Sequence, residues 1–413
     1  MRILFVSAEY PPESDWGGIA FYVACLAKAL TRRRHEVHVL SCFAGQAPSD
    51  TVDEGVFVHR RPSVRLPGLG RVGTITGFRR SAAALIAGLS TFFQYRKLRV
   101  NFDLIEYPEW GAEGWLFALI RSVPTVAQLH VGTDLIQRHN RFTTAWDARL
   151  ASAAERFSIR RSDLVVSSSE LLVRELRAAG WFTRVEPEIL PNPIDLDKWA
   201  EAAPISQTSS VVLFCGRLEP LKAPETLIRA VAILRKELPE LRAIFAGRSA
   251  LTRDGVPEFD WVSGGLDLSG CEFVGQVARD QLPNLVATAR VLAVPSRFES
   301  FSMAALEAMA ASRPVVVTST TGIAELVRAN SAGAVVPPDD PAALAEALRP
   351  FLKDAHQAEN AGRRARVAAE TLGADQIAAA REDLYRRAIF NYHERIGKLR
   401  PAIHTLSGGR GAA

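Results

Sequence analysis

One pattern constrains this chain more than any other: an alternation of strand-like and helix-like segments that runs through twice. In the first half the strand-like runs are RILFVSA, EVHVLSC, VFVHR, DLIEY, TVAQLH and DLVVSSS. In the second half they are SVVLFCG, RAIFAG, CEFVG, VLAVPS, PVVVTS and GAVVPP. Helix-length segments such as AFYVACLAKALTRR and PETLIRAVAILRKEL lie between them. Apolar strands alternating with amphipathic helices specify parallel sheets covered on both faces. The expected fold class is therefore α/β, with two doubly wound, Rossmann-like domains facing each other across a cleft. The Pro-, Ser- and Asp-rich stretch ILPNPIDLDKWAEAAPISQTSS reads as the link. It divides the chain into a first domain at 1–195 and a second at 196–376. Beyond GAVVPPDDP the pattern is purely helical to about Leu399, and 400–413, ending in SGGRGAA, reads as a disordered tail.

In open parallel sheets a ligand sits beyond the carboxyl ends of the strands. The run after VLAVPS is therefore informative. Ser300 or Ser302 can cap a helix that follows, which leaves the amides of Phe301, Ser302 and Met303 as free donors at a positive helix end. Such an end suits phosphate. Glu299 precedes the helix and Glu307 lies about a turn and a half inside it. Carboxylates suit the vicinal hydroxyls of a sugar, although a capping acid and a solvated helix acid would leave the same pattern.

Other loops after strands carry compatible groups. FCGRLEPLKAPETL places Arg217 and Lys222 five residues apart, where two cations can neutralise a diphosphate or simply form surface charge. TSTTGIAEL offers the Thr321 hydroxyl and the flexible Gly322. YPPESDWGGIAFYV puts Gly17 and Gly18 after the first strand, where backbone can approach a ligand closely. His130 ends TVAQLH, as a cleft residue or a structural one. In EYPEWGAEGW, Glu106, Glu109 and Trp110 could hydrogen-bond and stack on a carbohydrate acceptor, or form a packed loop. GLGRVG matches the dinucleotide fingerprint in letters only, because it follows a proline and lacks the acid about twenty residues on.

Taken together, these residues resemble the retaining nucleotide-sugar glycosyltransferases of family 4, which have the GT-B fold. The most specific block runs from Pro295 to Val327: two glutamates separated by seven residues, then EAMA, RPVV and GIAELV in order. The resemblance implies that Arg217 and Lys222 bind the donor diphosphate and that Glu299 holds the transferred sugar. It places the amides of Phe301, Ser302 and Met303 near phosphate and sugar, and gives Glu307 the ribose. Gly18 and His130 would meet the donor from the other domain. It also implies no metal and no other cofactor, a hydroxyl acceptor (glycan, lipid-linked or small molecule), and a last helix, about 377–399, that packs back onto the first domain. The family commonly has glycine where this chain has Ala223, Ser300, Ser302, Ser312 and Thr321. A sugar-nucleotide epimerase on the same architecture and a non-catalytic nucleotide-sugar-binding scaffold are the alternatives.

Charge and hydropathy bound the partners. The formal net charge is +5, and the excess is local: from His59 to Arg99 there are nine Lys or Arg and no acid. No nucleic-acid motif accompanies that run. An anionic membrane face, an anionic substrate or a solvated surface remain for 59–99. The longest near-apolar run, SAAALIAGLSTFF, falls short of the roughly 20 residues that a membrane span needs. The start MRILFVSAEYPP reads as a strand and not as a signal peptide. Four cysteines without paired spacing fit a reducing compartment. The expected location is cytoplasmic, with peripheral contact at the inner membrane face open.

Overall fold

Each of those strand-like runs forms a strand in the computed structural model. It describes residues 1–407 except 13–16, 44, 65–77, 141–145, 183–185, 200–204, 206–209, 250–251, 254–255 and 258–263. The first sheet contains β1 (Arg2–Val6), β2 (Glu36–Phe43), β3 (Ser49–Asp53), β4 (Val56–Pro62), β5 (Leu104–Pro108), β6 (Thr125–Leu129), β7 (Leu164–Ser167) and β8 (Glu188–Ile189). Their order is β3-β4-β2-β1-β5-β6-β7-β8, parallel throughout except that β3 runs antiparallel to β4. The second sheet contains β9 (Val211–Cys215) and β10 (Arg242–Ala246). After the small antiparallel ladder of β11 (Thr252–Arg253) and β12 (Val256–Pro257) come β13 (Cys271–Gly275), β14 (Val291–Val294), β15 (Val315–Thr318) and β16 (Gly333–Val336). Its order is β13-β10-β9-β14-β15-β16 and every pairing is parallel.

Near-continuous apolar runs make central strands because both faces are buried. Ile3, Leu4, Phe5 and Val6 in β1, and Val315, Val316 and Val317 in β15, are all buried. Removing each such side chain from water contributes about 1.5–3 kcal/mol. Strand β3 escaped the sequence reading because SDTVD is polar, exposed and at the sheet edge, so no apolar signal marks it.

Strand order fixes where ligands can go. It reverses at β1 in the first sheet, flanked by β2 and β5, and at β9 in the second, flanked by β10 and β14. Crevices open at such switch points, beyond the carboxyl ends. The loops after β9 and β14 carry Arg217, Lys222 and Glu299.

The Ala374–Ser407 helix returns to the first sheet. Tyr385 Oη donates to Glu106 Oε2 at 2.6 Å, and fully buried Arg381 donates to Gln128 Oε1 at 2.6 Å and to the Tyr22 hydroxyl. The helix continues to Ser407, past the expected end near Leu399 and through Pro401. Residues 408–413 and the GLGRVG stretch lie outside the described residues. Among the described residues no helix is long and apolar enough to cross a membrane, and no cluster of His, Cys, Asp or Glu could hold a metal ion. All four cysteines are free.

Candidate functional site

The site is assembled from two loops tied together beside β9 and β14. After β9 the chain makes a short 3-10 turn, Pro220–Lys222. It then passes through Ala223 in the left-handed region (φ +47°) and enters the Pro224–Leu234 helix with proline in its first turn. After β14 the chain runs from Ser296 to the Met303–Ala310 helix. Arg297 locks the loops together: its backbone amide donates to Leu221 O at 2.9 Å, and its guanidinium pairs with Glu225 at 2.5 Å and reaches Pro220 O.

That clamp brings Lys222 Nζ to 2.9 Å from Glu299 Oε1, where Ser296 Oγ also donates at 2.8 Å. The Glu299 amide donates to Thr320 O at 3.0 Å, and its carbonyl accepts from the Gly322 amide at 2.9 Å. A Cβ on Gly322 would lie 2.0 Å from Ser300 O, so this close approach requires glycine. Thr321 turns its hydroxyl inward, 3.0 Å from Thr318 Oγ1. Thr321 and Gly322 therefore brace the Glu299 loop; neither presents a free group to a donor as the sequence reading expected.

Ser302 caps the Met303–Ala310 helix, its Oγ accepting from the Ala305 amide at 3.4 Å. Its backbone has φ +96°, in the region that favours glycine. The amides of Phe301, Ser302 and Met303 donate to no protein acceptor among the described residues, which leaves three donors at a positive helix end. The Phe301 side chain is buried in the core, so only its backbone faces the crevice.

Glu307, one face of the helix further on, is almost fully buried and forms an ion pair with Arg279. Burial raises its carboxyl above the usual range, and Arg279 pulls the other way. Arg279, in the loop after β13, also lies over the Phe21 ring, with its guanidinium carbon 3.3 Å from the ring centre. The sequence reading missed Arg279. Its surroundings, QVARDQL, carry no motif, and only the fold brings it to Glu307. Met303, Glu307, Arg279, Phe21 and Trp199 line a common cavity between the two sheets.

The first sheet supplies the opposite wall. Gly17 precedes the Gly18–Arg32 helix in extended backbone, and a Cβ on Gly18 would stand 3.8 Å from Met303 Cγ. Ser169 Oγ donates to Ser300 O at 2.5 Å, and Asn140 Oδ1 accepts from the Leu221 amide at 3.0 Å, so both site loops touch the first sheet's loops. His130 is buried edge-on to Tyr22, at 5.3 Å between ring centres. Burial, helped by Arg381, holds its pKa at about 3, so the ring is neutral at ordinary pH. Neither ring nitrogen has a protein partner among the described residues.

Two of the expected acceptor contacts do not hold. The Glu106 carboxylate is buried and accepts from Tyr22 and Tyr385, both at 2.6 Å. Glu109 is fully buried and accepts from the His130 amide at 2.8 and 2.7 Å. Both are committed to holding strand ends and cannot meet an acceptor. Trp110 alone of the three remains partly exposed.

Comparison with known proteins agrees with this geometry. The family model "Glycosyl transferases group 1" matches residues 195–368, and "Glycosyltransferase Family 4" matches 16–198. A D-inositol 3-phosphate glycosyltransferase of Kineococcus radiotolerans is 30% identical over 410 residues, covering 92% of each chain. A glycogen synthase of Mycobacterium tuberculosis is 31% identical over 398 residues, covering 91% of each. Among solved structures, sucrose-phosphate synthase from Thermosynechococcus elongatus superposes with a TM-score of 0.73 at 23% identity, covering 94% of this chain and 98% of that one. Anabaena HepE in complex with UDP-glucose superposes with a TM-score of 0.67 at 21% identity, covering 93% and 99%.

Proposed function

The chain belongs to the group 1 glycosyltransferases of the GT-B fold, and from that premise we propose that it moves a sugar from a nucleoside-diphosphate sugar to a hydroxyl acceptor. In this reading the anomeric configuration is retained and no metal is required. The observation that carries it is the Lys222–Glu299 pair, set beside a helix end with three unengaged amides. Cation, hydroxyl-binding carboxylate and anion cradle are the three groups that a sugar diphosphate needs, within one pair of tied loops.

Bond breaking between the anomeric carbon and the diphosphate leaves charge on the phosphate oxygens. Lys222, Arg217 and the amides of Phe301, Ser302 and Met303 stabilise that charge. Donors fixed in this way cost little reorganisation as the reaction proceeds, and two cations take over the neutralisation that a metal supplies elsewhere. Glu299, anchored by Ser296, accepts from the sugar hydroxyls. Glu307 accepts from the ribose once Arg279 withdraws. Neutral His130 serves as a hydrogen-bonding group from the opposite wall, near Gly17 and Gly18. The acceptor enters from the first sheet's side, and closure of the cleft excludes water.

The test is thermal stability against UDP-, GDP- and ADP-sugars in EDTA. UDP-glucose comes first, since that is the ligand in the HepE complex. A ligand at a hundred times its Kd adds about 2.7 kcal/mol of stability. A shift with one nucleotide sugar, followed by loss of turnover in Glu299→Ala, supports the reading. A shift that appears only when Mg²⁺ is added removes the metal-free mechanism. Absence of a shift with every donor removes the donor assignment.

A further inference from the structure

The helix Arg79–Leu98 carries apolar residues on its outward face as well as its inward one, unlike an ordinary surface helix. Its buried positions are Ala84, Gly88, Ser90, Thr91 and Gln94, which are small or polar. Phe92, Tyr95 and Leu98 pack against the core of the first sheet, but two further large apolar residues face out: Leu85 is 41% and Phe93 50% exposed. The inward face is explained by packing, since a Cβ on Gly88 would lie 2.1 Å from the Trp115 ring. Among the described residues nothing covers the outward Leu85 and Phe93.

The neighbouring Trp146–Arg161 helix continues the pattern. Trp146 and Leu150, one turn apart, are 47% and 49% exposed. The two helices run side by side from a shared start. The Asp147 carboxylate accepts from the amides of Arg80 and Ser81 at 2.7 and 2.9 Å, and Ala84 packs in one cluster with Ala151. Phe78 and Trp146 meet edge-on at 3.8 Å between ring centres, joining the exposed apolar groups of both helices. Contiguous exposed apolar groups of this kind mark interaction sites when they form a large patch.

Charge selects the partner. Arg79–Leu98 contains no acid, and the only acids of Trp146–Arg161 are Asp147 and Glu155, both buried. The outward charges are Arg79, Arg80 and Arg149 beside the patch, with Arg96 and Lys97 at the far end. A second copy of the chain would oppose like charges here. A surface that is apolar, aromatic and exclusively cationic fits a layer of anionic headgroups over hydrocarbon.

We propose that this two-helix face docks on an anionic lipid bilayer, with Phe78, Trp146 and Leu150 entering the headgroup boundary and Arg79 and Arg149 meeting lipid phosphates. The inference does not rest on the transferase reading. Full-length protein is sedimented with phosphatidylcholine vesicles and with vesicles of phosphatidylcholine and phosphatidylglycerol, at physiological salt. Partitioning onto the anionic vesicles should exceed that onto neutral ones at least tenfold, falling as salt rises. At about fivefold per cationic group, the double variant Arg79→Glu, Arg149→Glu should lose at least about 25-fold. Trp146→Ser should weaken binding while leaving the salt dependence in place. Unchanged melting temperatures show that both variants fold, as expected for exposed positions. Equal binding to both vesicle types, or anionic binding untouched by the charge reversal, overturns the proposal. Retention on heparin without vesicle binding also overturns it, and reassigns the face to a soluble polyanion.

Discussion

Arg279 pairs with Glu307 on one side and lies over the Phe21 ring on the other, so a single side chain joins the helix that begins at Met303 to the first helix of the first sheet. The pair fills the place proposed for the donor ribose. Glu307 is nearly inaccessible while Arg279 is about one-third exposed, so the arginine is the partner free to move.

Arg279→Ala should therefore lower the stability of the unliganded protein and tighten nucleotide binding. Removing the cation leaves a buried carboxylate uncompensated, which costs about 2 kcal/mol after allowance for the partial exposure of Arg279. Ribose hydroxyls offset that cost only in the complex. Melting curves with and without nucleoside diphosphate check this: the melting temperature alone should drop and the ligand-induced increment should grow. A weaker affinity would show that Arg279 itself contacts the nucleotide.

Three positions where the family commonly has glycine carry other residues at positive φ: Ala223 at +47°, Ser302 at +96° and Ser312 at +58°. The backbone conformation has been kept although the residue that tolerates it best has not. Ala223→Gly and Ser312→Gly should each stabilise by about 0.5–1 kcal/mol, the relief of left-handed strain exceeding the added chain entropy. Ser302→Gly trades strain relief against the weak cap on Ala305, so a smaller gain is expected. Thermal denaturation of the three single variants decides this, and destabilisation by Ala223→Gly would refute the strain argument.

Those positions also show what the sequence made legible. Apolar strand runs and the helix after Ser302 follow from periodicity and capping, and both appear in the fold; the weight of the glutamate spacing comes from the family resemblance. Lys222 and Glu299 could be nominated separately because each follows a strand; their 2.9 Å contact depends on Arg297, whose role exists only once the loops are tied. Arg279 was illegible because its partners stand 28 residues on and in the other sheet's first helix. Glu106 and Glu109 misled because an acid beside aromatic residues reads the same whether it faces solvent, a buried tyrosine or a backbone amide.

Burial pushes the Glu109 carboxyl up to about 8, against the lowering effect of the His130 amide. A native pKa above the unfolded value of 4.5 means the folded state holds a proton that the unfolded chain releases. That contribution is fully present below about pH 4.5 and is lost as pH rises through about 8. Glu109→Gln, which mimics the protonated form, should match the parent near pH 5 and become the more stable of the two as pH rises to 8. Melting temperatures of both proteins across that range test it. Parallel curves would mean that Glu109 is ionised throughout.

Glu106 stands between Tyr22 and Tyr385, and its Oε2 is 3.7 Å from the guanidinium of fully buried Arg381. Glu106→Gln retains the shape and an acceptor but removes the negative charge, leaving Arg381 as a buried cation without its counter-charge. Breaking a buried pair on one side costs about 3–5 kcal/mol. The variant should therefore melt well below the parent, with the Ala374–Ser407 helix losing its attachment first. At temperatures where it remains folded, acceptor KM and kcat should match the parent, because the carboxylate lies inside the wall and meets no substrate. An unchanged melting temperature together with a tenfold rise in acceptor KM would instead place Glu106 in the acceptor site.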